Sequence, residues 1–467
     1  MRYKYQYRNL LQYGAVAEKD PGEKSFIDFY SVHLFARNIG KIKSFAVGDY
    51  TLNIGQGLIH WQSQAFRKTS SVISIKRQAD IIRPYNSAGE YNFQRGVAIT
   101  FKKNKWEPTV FFSYRKLSAN ISNDSIYKDV ITSINTSGLH VTESEIKNKN
   151  NTSVVNYGGS LKYISGQGSV AVNILSYNYS LPLLKRDDPY NLYALKGNNL
   201  TNGSIDYNYT HNNIHLFGEL AMSVNGARAM INGIMTSLHS SIDIAVLYRK
   251  ADKDYQSVYG NAFTESTMPS NEEGIYIGFS IRPYQRWKID VYSDFFRFPW
   301  LKYRVDAPTI GNQYLVQLTW KPDKKIEVYT RLRYRHKPLN ASGGRTNYPE
   351  DQVQQNWRTH ISFQVSRSLL LRNRVEVCRY VKGFIALPEN GYLFYTDLVY
   401  KPLGKPFSGN FRFQVFECDS YATRIYAYEN DVMYASSTPS FFNKGTRIYC
   451  NGRVKLNARI MPKLNAD

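Results

Sequence analysis

Ile326–Arg335, IEVYTRLRYR, is the stretch on which the fold turns, because read two residues at a time it separates into two unlike faces. Ile326, Val328, Thr330, Leu332 and Tyr334 fall on one face; Glu327, Tyr329, Arg331, Arg333 and Arg335 fall on the other. Successive side chains leave a pleated backbone on opposite sides, so a period of two marks an extended strand. The dyad returns in RTHISFQV, where Thr359, Ile361, Phe363 and Val365 oppose Arg358, His360, Ser362 and Gln364. Near the C-terminus Ile448, Cys450, Val454, Leu456 and Ala458 oppose Arg447, Tyr449, Asn451, Arg453, Lys455 and Asn457. Charges on one face of strand after strand point to a wet interior and an apolar exterior, the inverse of a soluble barrel.

Punctuation between the strands agrees. Short turn signals stand at Lys321-Pro322-Asp323, Arg282–Gln285 and Lys103–Lys105, whereas Thr142–Ser153 and the stretch between Arg335 and Trp357 read as long polar loops. Short turns at one end and long loops at the other suit an outer-membrane barrel, and at roughly 20 residues per strand and connection the chain allows roughly 16 to 24 strands. The expected fold is all-β, one large antiparallel transmembrane β-barrel over residues 1–467 with a polar, basic interior. Helix is scarce, although Ser63–Arg77 has room for a short helical or plug-like excursion.

Composition supports this. The chain has 467 residues, of which 42% are hydrophobic, and its apolar runs fall far short of a membrane-spanning helix. With 38 Tyr and 24 Phe, aromatics reach 15% at a mean hydropathy of −0.45, a pairing that suits rings placed at two membrane interfaces. Three widely spaced cysteines, Cys378, Cys418 and Cys450, make neither a disulfide framework nor a metal knuckle. MRYKYQYRNLL at the start lacks the apolar core of an export signal, so truncation at the N-terminus is expected. NARIMPKLNAD at the other end lacks a closing aromatic strand, which leaves truncation open there too. Lys and Arg number 60 against 37 Asp and Glu, a net charge of +23 that attracts lipopolysaccharide, anionic lipid or nucleic acid. Spread along the chain, it also describes an ordinary solvated surface.

Five motifs carry the functional question. Gly55-Gln56-Gly57 lacks the lysine and helix of a phosphate cradle and reads as a bulge or a close backbone approach. In IIRPYNSAGEYNFQRGVAITF, Arg83 and Arg95 are expected to hold Glu90 or Asp80 in an ion-pair network, with ligand binding as the second reading. DFFRFPWLKYRVDAP, residues 294–308, interleaves rings with bases, as an interfacial girdle or a nucleic-acid platform would. Arg331, Arg333 and Arg335 on one strand, with Arg372 and Arg374 on another, are candidate anion contacts, although Glu327 and Glu376 on the same faces fit structural ladders equally. His211 and His215 lack the setting of a zinc protease; no metal site, cofactor or catalytic constellation is expected, with a barrel hydrolase as the remote alternative.

GDYTLNIGQGLIHW, IIRPYNSAGEYNFQRGVA, YQSVYGNAFTE, NEEGIYIGFSIRP, FFRFPWLKYRVDAP, YKPLGKPFS and DSYATRIYAYENDV together resemble the barrel portion of helix-hairpin-helix domain-containing outer-membrane proteins. The resemblance runs through most of the chain and implies outer-membrane location, contact with membrane lipid and lipopolysaccharide, and a non-enzymatic role in binding or uptake of DNA or another anionic polymer. The helix-hairpin-helix region itself is not in this sequence. The candidate contacts for an anion or nucleic acid are thus Arg331, Arg333, Arg335, Arg372, Arg374, Arg83 and Arg95, and a passive pore is the alternative function.

Overall fold

The computed structural model describes residues 1–341, 348–383, 387–431 and 437–455, and the backbone of 463–466. They form a 25-stranded sheet whose pairings are antiparallel except for one contact between Leu183 and Ile131. Setting aside the short Ile82–Pro84 strand and the hairpin Ala119–Asp124/Lys128–Ile134 leaves twenty-two strands in an up-and-down wall, inside the expected range. The chain is all-β, a large antiparallel barrel in which neighbours in the wall follow one another in sequence.

Wall strands show the inverted dyad directly. Along Trp106–Leu117, Glu107, Thr109, Ser113 and Arg115 are buried, while Val110, Phe112 and Tyr114 are about half exposed. Along Gly168–Leu183, Ser169 and Asn173 turn inward and Val170, Val172 and Ile174 outward. Leu332, Ile361 and Ile448 are exposed as their alternation requires. Short turns such as Gly166-Gln167, Asn212-Asn213 and Gln285-Arg286 close one end. Long connections gather at the other, where the loop containing Thr142–Ser153 carries the helix Glu143–Lys147. The loop after Arg335 is shorter than the sequence suggests, since the strand Gln352–Gln364 begins five residues before Trp357.

The interior is not uniformly wet. Residues 53–93 leave the wall after Leu52, turn inward without forming a helix, touch the wall again where Ile82–Pro84 pairs with Tyr50–Leu52, and return at Gln94, so the Ser63–Arg77 excursion is plug-like rather than helical. Ile54, Leu58, Ile59, Val72 and Ile75 pack there against the inward faces of Tyr177, Phe217, Leu247 and Tyr276. This apolar core inside the wall departs from the expected basic lumen. It exists because the inserted segment brings its own apolar side chains to wall positions that would otherwise face water.

Polar contacts fix the insert. Gly55 and Gly57 both have positive φ (54° and 84°), which curls the backbone so that the Gln56 and Leu58 amides donate to Glu219 Oε2 at 2.7 and 3.0 Å. A Cβ on Gly55 would stand 2.6 Å from the Glu219 carboxyl carbon. The Gly-Gln-Gly turn is therefore a cradle of backbone amides whose acceptor is a carboxyl of the protein itself. Farther along, Lys68 Nζ lies 2.5 Å from Glu265 and 2.7 Å from Asp294; Arg249 binds Asp294 and Glu272, and Lys337 reaches Glu265 at 3.1 Å. Burial alone would raise the Glu265 carboxyl, but Lys68 and Lys337 hold it well below the usual range.

At the loop end, His140 Nδ1 stands 2.6 Å from Asp28, the His140 amide donates to Glu23, and Lys149 closes on Asp28. Glu90 faces this knot. Burial, followed by the charges of Asp28, Glu23 and Glu18, pushes its carboxyl up to about 8 against the pull of Lys149. Arg115 donates to the Glu90 carbonyl at 2.9 Å, not to its side chain.

Two outcomes are expected. Glu219→Ala leaves two buried amides without an acceptor, at roughly 1–3 kcal/mol each, and accelerates hydrogen exchange at Gln56–Leu58, whereas Glu219→Gln keeps an acceptor oxygen and stays near wild type. Glu90 binds its proton more tightly folded than unfolded, so stability of the loop end falls as pH rises from about 4.5 to about 8. Protection factors over residues 84–93, which remove the intrinsic rise of amide exchange with pH, should fall across that window in wild type and stay level in Glu90→Gln.

Candidate functional site

A second inward stretch, residues 419–431 and 437–442 between Phe407–Cys418 and Asn443–Val454, carries the short pair Ile425–Tyr426 and Ser440–Phe441. Ile425, Ala427 and Phe441 pack on the inward Cys378, Leu393 and Tyr395. Between this stretch, the Arg304 loop and the wall lies a cavity of about 610 Å³. Arg331, Arg333 and Arg335 reach it from one strand, Arg358 from the next, and Arg304 and Arg424 from the connections. Among the described residues, Glu376 is the one acidic lining residue.

That carboxylate is already engaged. Arg358 holds it through Nε at 2.8 Å and Nη2 at 3.1 Å, and Arg374 closes on the same oxygen as Arg358 Nε while donating to the Tyr426 carbonyl at 2.9 Å. Arg331 donates to Gln317 at 2.7 Å and to Ser70, on the inserted segment, at 2.9 Å. Arg333 leans on the Gln313 amide oxygen, 3.0 Å from its Nε once that amide is turned to suit its neighbours. Arg424 stacks 4.2 Å over Tyr421 and donates to Tyr421 and Tyr426. Among the described residues, the cavity thus sets six guanidinium groups against one shared carboxylate. Neutral oxygens orient several of these arginines without discharging them, and guanidinium forks so fixed match carboxylate or phosphate oxygens.

The structure sorts the sequence candidates. Arg331, Arg333 and Arg335 meet in the cavity, while Arg374 is spent on Glu376 and Tyr426. Arg372 lies apart, lining a different cavity toward the short-turn end beside Arg367 and Lys401. Arg95 does not hold Glu90 or Asp80; it forks onto Asp49 at 2.7 and 2.9 Å and stacks on Tyr30. Its strand pairs Asp49 with Arg95 directly, and cross-strand register outweighs nearness in sequence. Arg83 is exposed and outside the cavity. The structural ladder is also real in one place, Arg358 on Glu376, whereas Glu327 pairs with Lys321 at 3.1 Å.

Three lining arginines were missed. Arg358 had a signal, since it lies on the inward dyad face and is the direct cross-strand partner of Arg331. Arg304 and Arg424 lie in irregular connections with no periodicity to place them. His211 and His215 stand on two adjacent strands across a tight turn, and His215 approaches Lys76 at 2.8 Å and Thr210 at 2.7 Å. The girdle reading of residues 294–308 holds for Phe295, which faces outward; Phe296 and Phe298 are buried, and Trp300 and Tyr303 line a cavity at the loop end. Pro299 follows the last strand residue, as expected.

No protein-family model matches the chain, and no curated protein matches it. Among solved structures it is similar to OmpT of Vibrio cholerae, with 9% identity over 76% of this chain and 98% of that one at a TM-score of 0.34. It is similar also to the DcaP channel of Acinetobacter baumannii, with 12% identity over 78% and 99% at 0.33. A BenF-like porin from Pseudomonas fluorescens gives 10% identity over 80% and 90% at 0.36. At these scores the likenesses carry no weight for function, and the assignment to large antiparallel barrels rests on the strand pairings and the inverted wall.

Proposed function

We propose that this chain is a non-enzymatic outer-membrane β-barrel whose arginine cavity receives compact anions. The observation that carries the reading is the set, among the described residues, of six guanidinium groups facing one carboxylate that two arginines already share. The exposed Val170, Val172 and Ile174, with their counterparts on other strands, supply the apolar outer band that a bilayer requires. Two inward stretches occupy the lumen, which favours a binding or gated role over a passive open pore. A cavity of about 610 Å³ suits phosphate groups or small carboxylates rather than a duplex, so nucleic acid enters the test as a short single strand.

Binding of pyrophosphate and of a short oligothymidylate to the refolded protein in detergent, across a salt series, tests this. Pyrophosphate affinity should fall as salt rises, and replacing Arg331, Arg333 and Arg335 together by Gln should weaken it about tenfold or more. Absence of pyrophosphate binding at low salt, or a triple variant equal to wild type, overturns the anion reading. Oligothymidylate binding that survives the triple variant would place polymer contacts on the loops. The membrane assignment has its own check: Val172→Arg should cost about 2–4 kcal/mol of folding stability in lipid vesicles if it lies near the bilayer midplane. An unchanged stability there would count against lipid contact at that face.

A further inference from the structure

The segment that departs from the girdle reading opens a second question. Trp300 and Tyr303, with Tyr190 and Tyr193, line a cavity of about 610 Å³ at the long-loop end, distinct in its residues from the arginine cavity. Tyr190 and Tyr303 meet edge to face at 5.8 Å, and Tyr193 and Trp300 at 5.2 Å. Tyr303 is 71% exposed, so its ring is available to a ligand. Rings exposed at such a mouth are costly in water and useful to a partner with a flat, weakly positive C–H face.

Among the described residues, the charged side chains that line the cavity are all basic. Lys253 Nζ stands 4.7 Å from the Tyr193 ring and 4.9 Å from that of Trp300, held between the two faces. Lys302 Nζ is held by Ser266 Oγ at 2.9 Å and lies over Phe298. Lys185 lines the rim, and no carboxylate lines the cavity among the described residues. Asp188 stands behind it, accepting from Tyr190.

Hydroxyls complete the site. Thr136 and Ser270 line the wall, and at the base the Tyr179 hydroxyl is fully buried and has no hydrogen-bond partner. A buried hydroxyl without a partner is costly, and a ligand bearing hydroxyl groups that both donate and accept would satisfy it. Rings for a C–H face, lysines for a carboxylate and a waiting hydroxyl for polyol oxygens belong together in one ligand class. We propose that this mouth cavity binds an acidic saccharide, its sugar ring packed on Tyr303 and Tyr190 and its carboxylate at Lys253. The site is independent of the arginine cavity, and either can fail without the other.

The test is titration of the whole detergent-solubilised protein with trigalacturonate and with an uncharged trisaccharide, followed by calorimetry and tryptophan fluorescence. Trigalacturonate should bind about tenfold or more tightly than the neutral sugar, weaken with salt, and lose about tenfold on Lys253→Gln. Tyr303→Ala should weaken both sugars, and Tyr179→Phe should improve folding stability while weakening the sugar, which a purely structural hydroxyl would not do. The Arg331, Arg333 and Arg335 triple variant should bind the trisaccharide as wild type does. Displacement of trigalacturonate by lipopolysaccharide bearing acidic core sugars would assign a lipid-borne source, and failure to displace it a free glycan. Equal binding of neutral and acidic sugars, no binding of either, or tighter binding of a nucleoside monophosphate overturns the proposal.

Discussion

When an antiparallel wall turns its apolar side chains outward, every second residue of a strand points inward, and polar ones left there without partners are costly. That constraint organises the rest of this molecule. Between paired strands the backbone donors and acceptors are satisfied by the ladder, so along the wall the problem is one of side chains. The protein meets it in two ways: cross-strand pairs such as Arg95 with Asp49 and Arg412 with Asp397, and chain folded inward to supply further partners. The segment 53–93 does both at once, packing Ile54, Leu58 and Ile59 on wall aromatics and meeting Glu219 with two amides.

Charge is distributed unevenly as a result. Around the inserted segment, Lys68, Arg249 and Lys337 are matched by Glu265, Glu272 and Asp294 in a closed network. Removing one member of such a buried set would strand its partners, which makes the network a positioning device rather than a source of net stability. Across the Arg331–Ser70 bond the balance ends, and arginines outnumber carboxylates. The inserted segment thus borders the unbalanced cavity as well as filling the balanced one, and the field inside the barrel changes character at that seam.

How much of this the sequence disclosed follows from periodicity. The wall was legible because IEVYTRLRYR and RTHISFQV repeat one physical pattern, and pairing them puts Arg331 against Arg358. The inward stretches were illegible because their apolar residues answer to wall positions far away in sequence, leaving no period to read; Ser63–Arg77 looked like a departure but not like a core. Gly55-Gln56-Gly57 was rightly separated from nucleotide cradles, yet nothing local names Glu219 as its partner. Arg95 beside Glu90 shows the converse error, in which nearness along the chain suggested a pair that sheet register gave to Asp49. Trp300 and Tyr303 read as girdle residues until Pro299 turned the chain into the mouth.

Both ends of the inserted segment are tied to the same end of the wall, to Leu52 and to Gln94. It can leave the lumen only as a doubled-back hairpin drawn out among the long loops, with its Glu219 and Lys68 attachments released on the way. A load applied from the short-turn end pushes along that exit, whereas a load from the loop end drives the hairpin deeper against the wall. The two ends of the barrel are therefore inequivalent with respect to this segment, because both of its attachments to the wall lie on the long-loop side.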